Sequence, residues 1–135
     1  MTTLTITTTC PEELVDITAQ VQDAVRASGC QHGVCHIICS HTTAGVTVNE
    51  NADPDVVHDI LLSLRDMVKE LRGFRHAEGN STAHVKSVLV GIHTCLPVQH
   101  GRLVLGTWQA VYFCEFDGPR RRQVRVVCVA APEHV

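Results

Sequence analysis

The chain lacks the features that would mark it for a membrane, a nucleic acid or an oxidising compartment. No segment approaches the roughly 18 consecutive apolar residues of a membrane span, and the opening Met1-Thr2-Thr3-Leu4 has no leader pattern. Basic residues do not predominate. Eleven Lys and Arg against 14 Asp and Glu leave a formal charge of -3, which gives no electrostatic case for nucleic acid or an anionic membrane. There is no C-x-x-C, although the chain has seven cysteines; an odd count without a leader argues for reduced thiols rather than disulfides. Neither a Gly-rich phosphate loop nor an Asp-rich magnesium motif is present. No repeat, linker or low-complexity stretch divides the 135 residues, which suffice for one domain with its own core. The expectation is a single cytoplasmic domain, 1–135, with no membrane and no nucleic-acid partner.

What is present has a clear rhythm. Thr2 to Thr9 alternates Leu4 and Ile6 with threonines, a β-type pattern. After the Cys10-Pro11-Glu12 turn and a short extended piece, a helix is expected near Thr18 to Ser28, with Gly29 suited to stop it. Val34 to Ser40 reads as a strand, with Cys35, Ile37, Cys39 and His41 on one face. Val46 to Asn49 reads as another. Asp53 before Pro54 is a helix-start signal. Val57, Ile60, Leu61, Leu64, Val68 and Leu71 then make a core-facing stripe that Gly73 would close. Ser81 to Val90 fits a helix, with a strand as the alternative. Arg102 to Phe116 and Gln123 to Ala130 read as β, joined through Asp117-Gly118-Pro119. The element order predicts an α+β fold, with a largely antiparallel sheet and about three helices.

The stretch from Ser40 to Pro54 concentrates a histidine, two threonines, two asparagines, a glutamate and an aspartate between a strand and a helix. Such connections are where rigid scaffolds place chemistry. His41, beside Thr42 and Thr43, suits a base or a metal ligand; the alternative is an imidazole that satisfies nearby backbone. Asp53 suits a helix cap, whereas Glu50 precedes the helix and suits a cation ligand or a general base. A second cluster holds His76, Glu78, Asn80, His84 and Lys86. On a helix, His84 and Lys86 diverge by about 200°, and the free N–H groups near Ser81 would attract a phosphate. In the third, Gln109 and Glu115 share a face with Val111 and Phe113. A buried carboxylate there needs a cation, a proton or a metal, with Arg122 or Arg125 as the structural alternative. One of Arg120, Arg121 and Arg122 suits an anion.

Three blocks together carry a family resemblance. His41-Thr-Thr-Ala-Gly-Val-Thr-Val-Asn-Glu-Asn-Ala-Asp-Pro-Asp55, His76-Ala-Glu-Gly-Asn80 with Ala83-His84-Val-Lys86, and Gly106-Thr-Trp-Gln109 with Glu115-Phe-Asp-Gly-Pro-Arg120 resemble the YjbQ-like proteins, also known as the secondary thiamine-phosphate synthase family. One departure is His93, where the family's signature usually begins with serine. The resemblance implies a β-sandwich-like α+β subunit forming a homotrimer. It also implies a reaction joining a hydroxymethylpyrimidine diphosphate to a thiazole phosphate with release of pyrophosphate. His41, Glu50, His84, Lys86 and Glu115 are the catalytic residues it suggests, and Thr42, Asn49, Asn51, Gln109 and Arg120 the substrate contacts. A divalent metal, magnesium or zinc, is expected on His41, His84 and Glu115. A metal-dependent hydrolase of a phosphorylated small molecule and a non-catalytic trimeric binder are the alternatives.

Overall fold

The computed structural model describes residues 1–132. In chain order the elements are β1 (Thr2–Thr7), β2 (Glu13–Asp16), α1 (Thr18–Ser28), β3 (His32–Cys39), β4 (Ala44–Glu50), α2 (Pro54–Met67), α3 (Ser81–Val90), β5 (His93–Gln99), β6 (Arg102–Leu103), β7 (Gln109–Glu115) and β8 (Arg121–Ala130). They build two sheets in the orders β1-β8-β3-β5-β6 and β2-β7-β4, and the strand pairs in both are antiparallel. The architecture is α+β with three helices, as expected. No helix of the described residues is long and apolar enough to cross a membrane.

Period-2 alternation explains why the sheets face each other. Cys35, Ile37 and Cys39 of β3, Leu96 and Val98 of β5, and Val124 and Val126 of β8 meet Val46, Val111 and Phe113 of the smaller sheet in one core. Helix α1 buries Val21, Ala24 and Val25 in that core and ends at Gly29, whose φ of 73° is left-handed. The other face of the small sheet presents Ala110, Tyr112, Cys114 and Phe116 to Leu64 of α2 and Ala83 of α3. The small sheet is therefore covered on both sides. The outer face of the five-stranded sheet has no element over it among the described residues.

Three parts of the fold depart from the sequence reading. Helix α2 stops at Met67, and Val68 turns to φ -115°, ψ 98°. Val68 is buried, as its place in the apolar stripe predicts, while Leu71 is exposed, so the helix and its core-facing stripe end a turn early. The expected strand from Arg102 to Phe116 breaks into β6 and β7, because Gln109 folds back on Gly106 through both backbone and side chain. Strand β5, for which the sequence reading assigns no element, contains Pro97, a residue that seldom sits in a strand interior. Pro97 is tolerated because β6 pairs only with Val98 and Gln99. The Pro97 carbonyl accepts from the Val104 N–H on that open side, so its missing donor also faces an edge.

Candidate functional site

The residues after β3 meet the start and middle of α3 in a cleft with two lobes. Ser40, His41, Thr42 and His84 border both. One lobe, of about 610 Å³, is mostly apolar and is walled by Val88, Gly91 and Ile92. The other, of about 370 Å³, is polar and is lined by His76, Asn80, Asp117, Arg120 and Arg122. Gly45 makes this meeting possible. A Cβ there would lie 2.6 Å from the Gly91 carbonyl oxygen, which instead accepts from the Val46 N–H. Ser87 adds a second clamp by donating to the Ala44 carbonyl at 2.7 Å.

His41 is held from one side. The Gln123 backbone N–H donates to its Nε2 at 2.8 Å, so the neutral ring carries its proton on Nδ1. Burial, together with the cations of Arg122 and Arg120, holds its pKa below the ordinary histidine value against an opposing pull from Glu115. His84 lies across the cleft, edge-on to His76 at 5.3 Å between ring centroids. Asn80 donates to Asp117 Oδ2 at 2.9 Å, and Arg120 donates to the same oxygen at 3.0 Å. The Asn80 Oδ1 is buried with no partner among the described residues. An orphaned acceptor of this kind costs free energy until a donor or water reaches it.

Beneath the cleft lies a saturated ion pair. Glu115 has no exposed surface and Arg122 is 4% exposed. Arg122 donates from Nε to Glu115 Oε1 at 2.9 Å and from Nη2 to Oε2. Thr8 donates to Oε1 at 2.7 Å, and the N–H groups of Phe116 and Asp117 donate to Oε2. Burial pushes the carboxyl pKa up, but Arg122, Thr8 and the Asp117 N–H outweigh it and leave it below the ordinary glutamate value. Arg122 then reaches Thr43 Oγ1 at 2.9 Å. Gly118 has no room for a side chain, since a Cβ would lie 2.8 Å from Glu115 Cγ and 2.4 Å from the Cys10 carbonyl oxygen.

The expected metal set of His41, His84 and Glu115 does not fit a shared ion in this arrangement. Glu115 has committed its oxygens to five donors and His41 has committed Nε2 to the backbone. Among the described residues, no three His, Cys, Asp or Glu side chains stand together as a preformed metal site, so any ion held by three of them needs at least one side chain to turn.

The other sequence candidates lie elsewhere. Lys86 is buried on the far side of α3, where Nζ donates to Glu12 Oε2 at 2.7 Å; Arg65 holds the other Glu12 oxygen at 3.1 Å. Asn49, Glu50, Asn51 and Gln109 gather at the opposite end of the small sheet. Ala44 and Glu50 are six residues apart on β4, about 20 Å at strand rise. There Asn49 Oδ1 accepts from the Glu50 N–H, Asn51 donates to Asp16, and Gln109 Oε1 accepts from the Gly106 N–H. Thr8, Ser87 and Asp117 were not foreseen as part of the site. The signal for Ser87 was its place as a lone hydroxyl between Ala83 and Val90 on the inward helix face.

Together these features define a class: an α+β protein of two antiparallel sheets with a histidine-bordered, half-polar cleft. Comparison with known proteins makes this specific. The model of the family described as UPF0047 protein YjbQ-like matches residues 2–131, and the chain belongs to that family. It is 50% identical over 121 residues to the UPF0047 protein YugU of Bacillus subtilis, covering 89% of this chain and 92% of the relative. A UPF0047 protein of Methanocaldococcus jannaschii is 50% identical over 115 residues, with 85% and 83% covered. The crystal structure of a YjbQ/UPF0047-family protein from Clostridium acetobutylicum superposes with a TM-score of 0.92 at 44% identity, covering 96% of this chain and all of that one (100%). A conserved hypothetical protein of Thermus thermophilus gives 0.88 at 42% identity, with the same coverage.

Proposed function

We propose that the two-lobed cleft binds a phosphorylated, ring-containing small molecule, and that the chain is a transferase of the thiamine-phosphate synthase type. The observation that carries the reading is the juxtaposition of an apolar and a polar lobe along the shared border of His41 and His84. A heterocycle matches the lobe of Val88 and Ile92. A phosphate matches the lobe where Arg120 offers a partly exposed guanidinium and the N-terminal end of α3 begins at Asn80.

In this reading a carbon–oxygen bond to the diphosphate breaks, a carbon–nitrogen bond to the thiazole forms, and pyrophosphate leaves. Arg120 and the helix N-terminus offset the charge that develops on the leaving oxygens. His84, across from the backbone-anchored His41, is placed to give a proton to the departing group. Asn80 Oδ1 offers an acceptor for a substrate N–H. Glu115 and Arg122 act beneath the site by holding Thr43 and the start of β8. In keeping with the family likeness, the working unit is proposed to be a cytoplasmic homotrimer.

The test is to incubate the purified chain with hydroxymethylpyrimidine diphosphate and thiazole phosphate, then follow both pyrophosphate and the coupled product. The reading expects both products, and their loss in His84→Ala. Pyrophosphate without coupled product would move the assignment to a hydrolase. Saturable binding with neither product would move it to a ligand-binding protein.

A further inference from the structure

The uncovered face of the five-stranded sheet carries a histidine pair outside the cleft. His36 of β3 and His93 of β5 have near-parallel rings, 14° apart, with centroids 5.2 Å from each other. Their Nδ1 and Nε2 atoms, respectively, lie 2.9 Å apart. Neither residue lines either lobe of the cleft. Cys95 is directly opposite His36 in the β3–β5 register, and directly opposed residues share a face, with Cβ atoms about 4.5–5.5 Å apart. Cys95 is also two positions from His93 on one strand, which returns it to the same face. His93 and Cys95 are exposed and His36 is half-buried.

We propose that His36, His93 and Cys95 bind one divalent transition-metal ion, of the zinc or cobalt kind, on this open face. Imidazole nitrogen and thiolate sulfur are the donor types that select such ions over magnesium or calcium. The geometry of the pair is close to what the ion demands. Two nitrogens bound at about 2.0–2.1 Å to one tetrahedral zinc stand about 3.3 Å apart. The observed 2.9 Å separation is a few tenths of an ångström short of that, a gap that small χ rotations close. The proton the two rings share in the metal-free state gives way to the cation.

Cys95 completes the set by turning its thiol toward the pair, and its proton goes to solvent as the sulfur binds. Water fills the remaining position. Three donors on two hydrogen-bonded strands are fixed by the sheet itself, so little backbone order has to be created on binding. Arg125, on β8 beside β3, is opposite Ile38 in register, which in turn stands opposite His93; it is exposed one strand from His36.

Titration of the full chain with zinc chloride, and separately with cobalt chloride, tests the proposal. One equivalent of zinc should bind, and cobalt should show a thiolate-to-metal absorption band. Loss of a supporting residue around a metal ligand costs about 10–100-fold in affinity, so His36→Ala and His93→Ala, which remove ligands outright, should weaken binding at least about tenfold. Cys95→Ser should abolish the cobalt–thiolate band. His84→Ala, in the cleft, should leave stoichiometry and band unchanged, which separates this site from the proposed active site. His36→Gln, checked for folding by circular dichroism, serves if His36→Ala unfolds. Absence of binding, retention of affinity in both histidine variants, or half an equivalent with dimer formation would each overturn the single-chain site. So would a cobalt complex of the unaltered chain that lacks the thiolate band.

Discussion

The Gln123 backbone N–H donates to His41 Nε2 at 2.8 Å, so the first residues of β8 set the tautomer of an imidazole 82 positions earlier in the chain. A ring fixed in this way presents Nδ1–H, not Nε2, to a ligand. Any proton-transfer role for His41 runs through that one atom. His41→Ala should remove turnover in the coupled assay while costing about 1 kcal/mol of stability, the net worth of one hydrogen bond. Chemical denaturation and the product assay measure the two effects separately. Full turnover in the variant would show that His41 only closes the loop onto β8.

Glu115 and Arg122 make the most costly pair to break. Removing one partner of a buried pair leaves an uncompensated charge, at about 3–5 kcal/mol. Glu115→Gln should therefore lower the melting temperature sharply, whatever it does to activity. Replacing both residues by methionine should cost less than either single change, because the charge and its partner leave together. Four melting curves, for the parent, the two single variants and the double, decide it. Additive losses would contradict the mutual dependence of the two groups.

Acid should weaken the fold for two reasons of the same sign. The folded-state pKa of His41 lies below the unfolded value of 6.5. The unfolded chain therefore takes up that proton first, and the contribution of His41 is lost as pH falls from about 6.5 through the folded value. Glu115, whose folded pKa lies below 4.5, contributes fully above 4.5 and loses its share as pH falls further. Melting temperature against pH should decline in these two windows. His41→Ala should flatten the upper one and Glu115→Gln the lower. A flat profile in the unaltered chain would contradict both assignments.

Much of the scaffold was legible because local chemistry and tertiary demand agreed. Asp53 and Pro54 started α2 as expected, with Asp53 Oδ1 accepting from the Asp55 N–H at 2.9 Å, and Gly29 stopped α1. Agreement failed beyond Val68, where the helix ends before Leu71 reaches the core, and at His93–Gln99, a strand around Pro97 that local pattern does not announce. The Ser40–Thr43 and His76–His84 segments were both picked out, yet nothing in the sequence says that they form one cleft, because strand-to-helix packing is a long-range relation. The same gap explains Asn49, Glu50 and Asn51. They are near neighbours of His41 in sequence, but an extended strand carries them to the other end of the sheet.

Lys86 separates a cleft cation from a structural one. Its ammonium pairs with Glu12 on the side of α3 turned from His84, and Glu12 also receives Arg65. Lys86→Met should lower stability, because the stem stays buried while Glu12 loses its closer partner. The Michaelis constant for the phosphorylated substrate should change by no more than a few-fold. A rise of about a hundredfold, near 2.7 kcal/mol of lost binding, would place Lys86 in the anion site instead.

The two lobes should respond separately to substitution. Arg120 lies on the polar side, and its guanidinium is 54% exposed, so its removal disturbs little of the core. Arg120→Ala should weaken inhibition by inorganic pyrophosphate, in proportion to the loss of a charge-assisted contact worth about 1.5–3 kcal/mol. It should leave the affinity for an unphosphorylated pyrimidine alcohol unchanged. Ile92, 48% exposed on the apolar side, should behave in reverse: Ile92→Ser weakens the pyrimidine alcohol and spares pyrophosphate. Calorimetric titration of each variant with each ligand gives four affinities. If both substitutions weaken both ligands equally, the lobes are not separate subsites, and the division of one substrate into a ring end and a phosphate end fails with them.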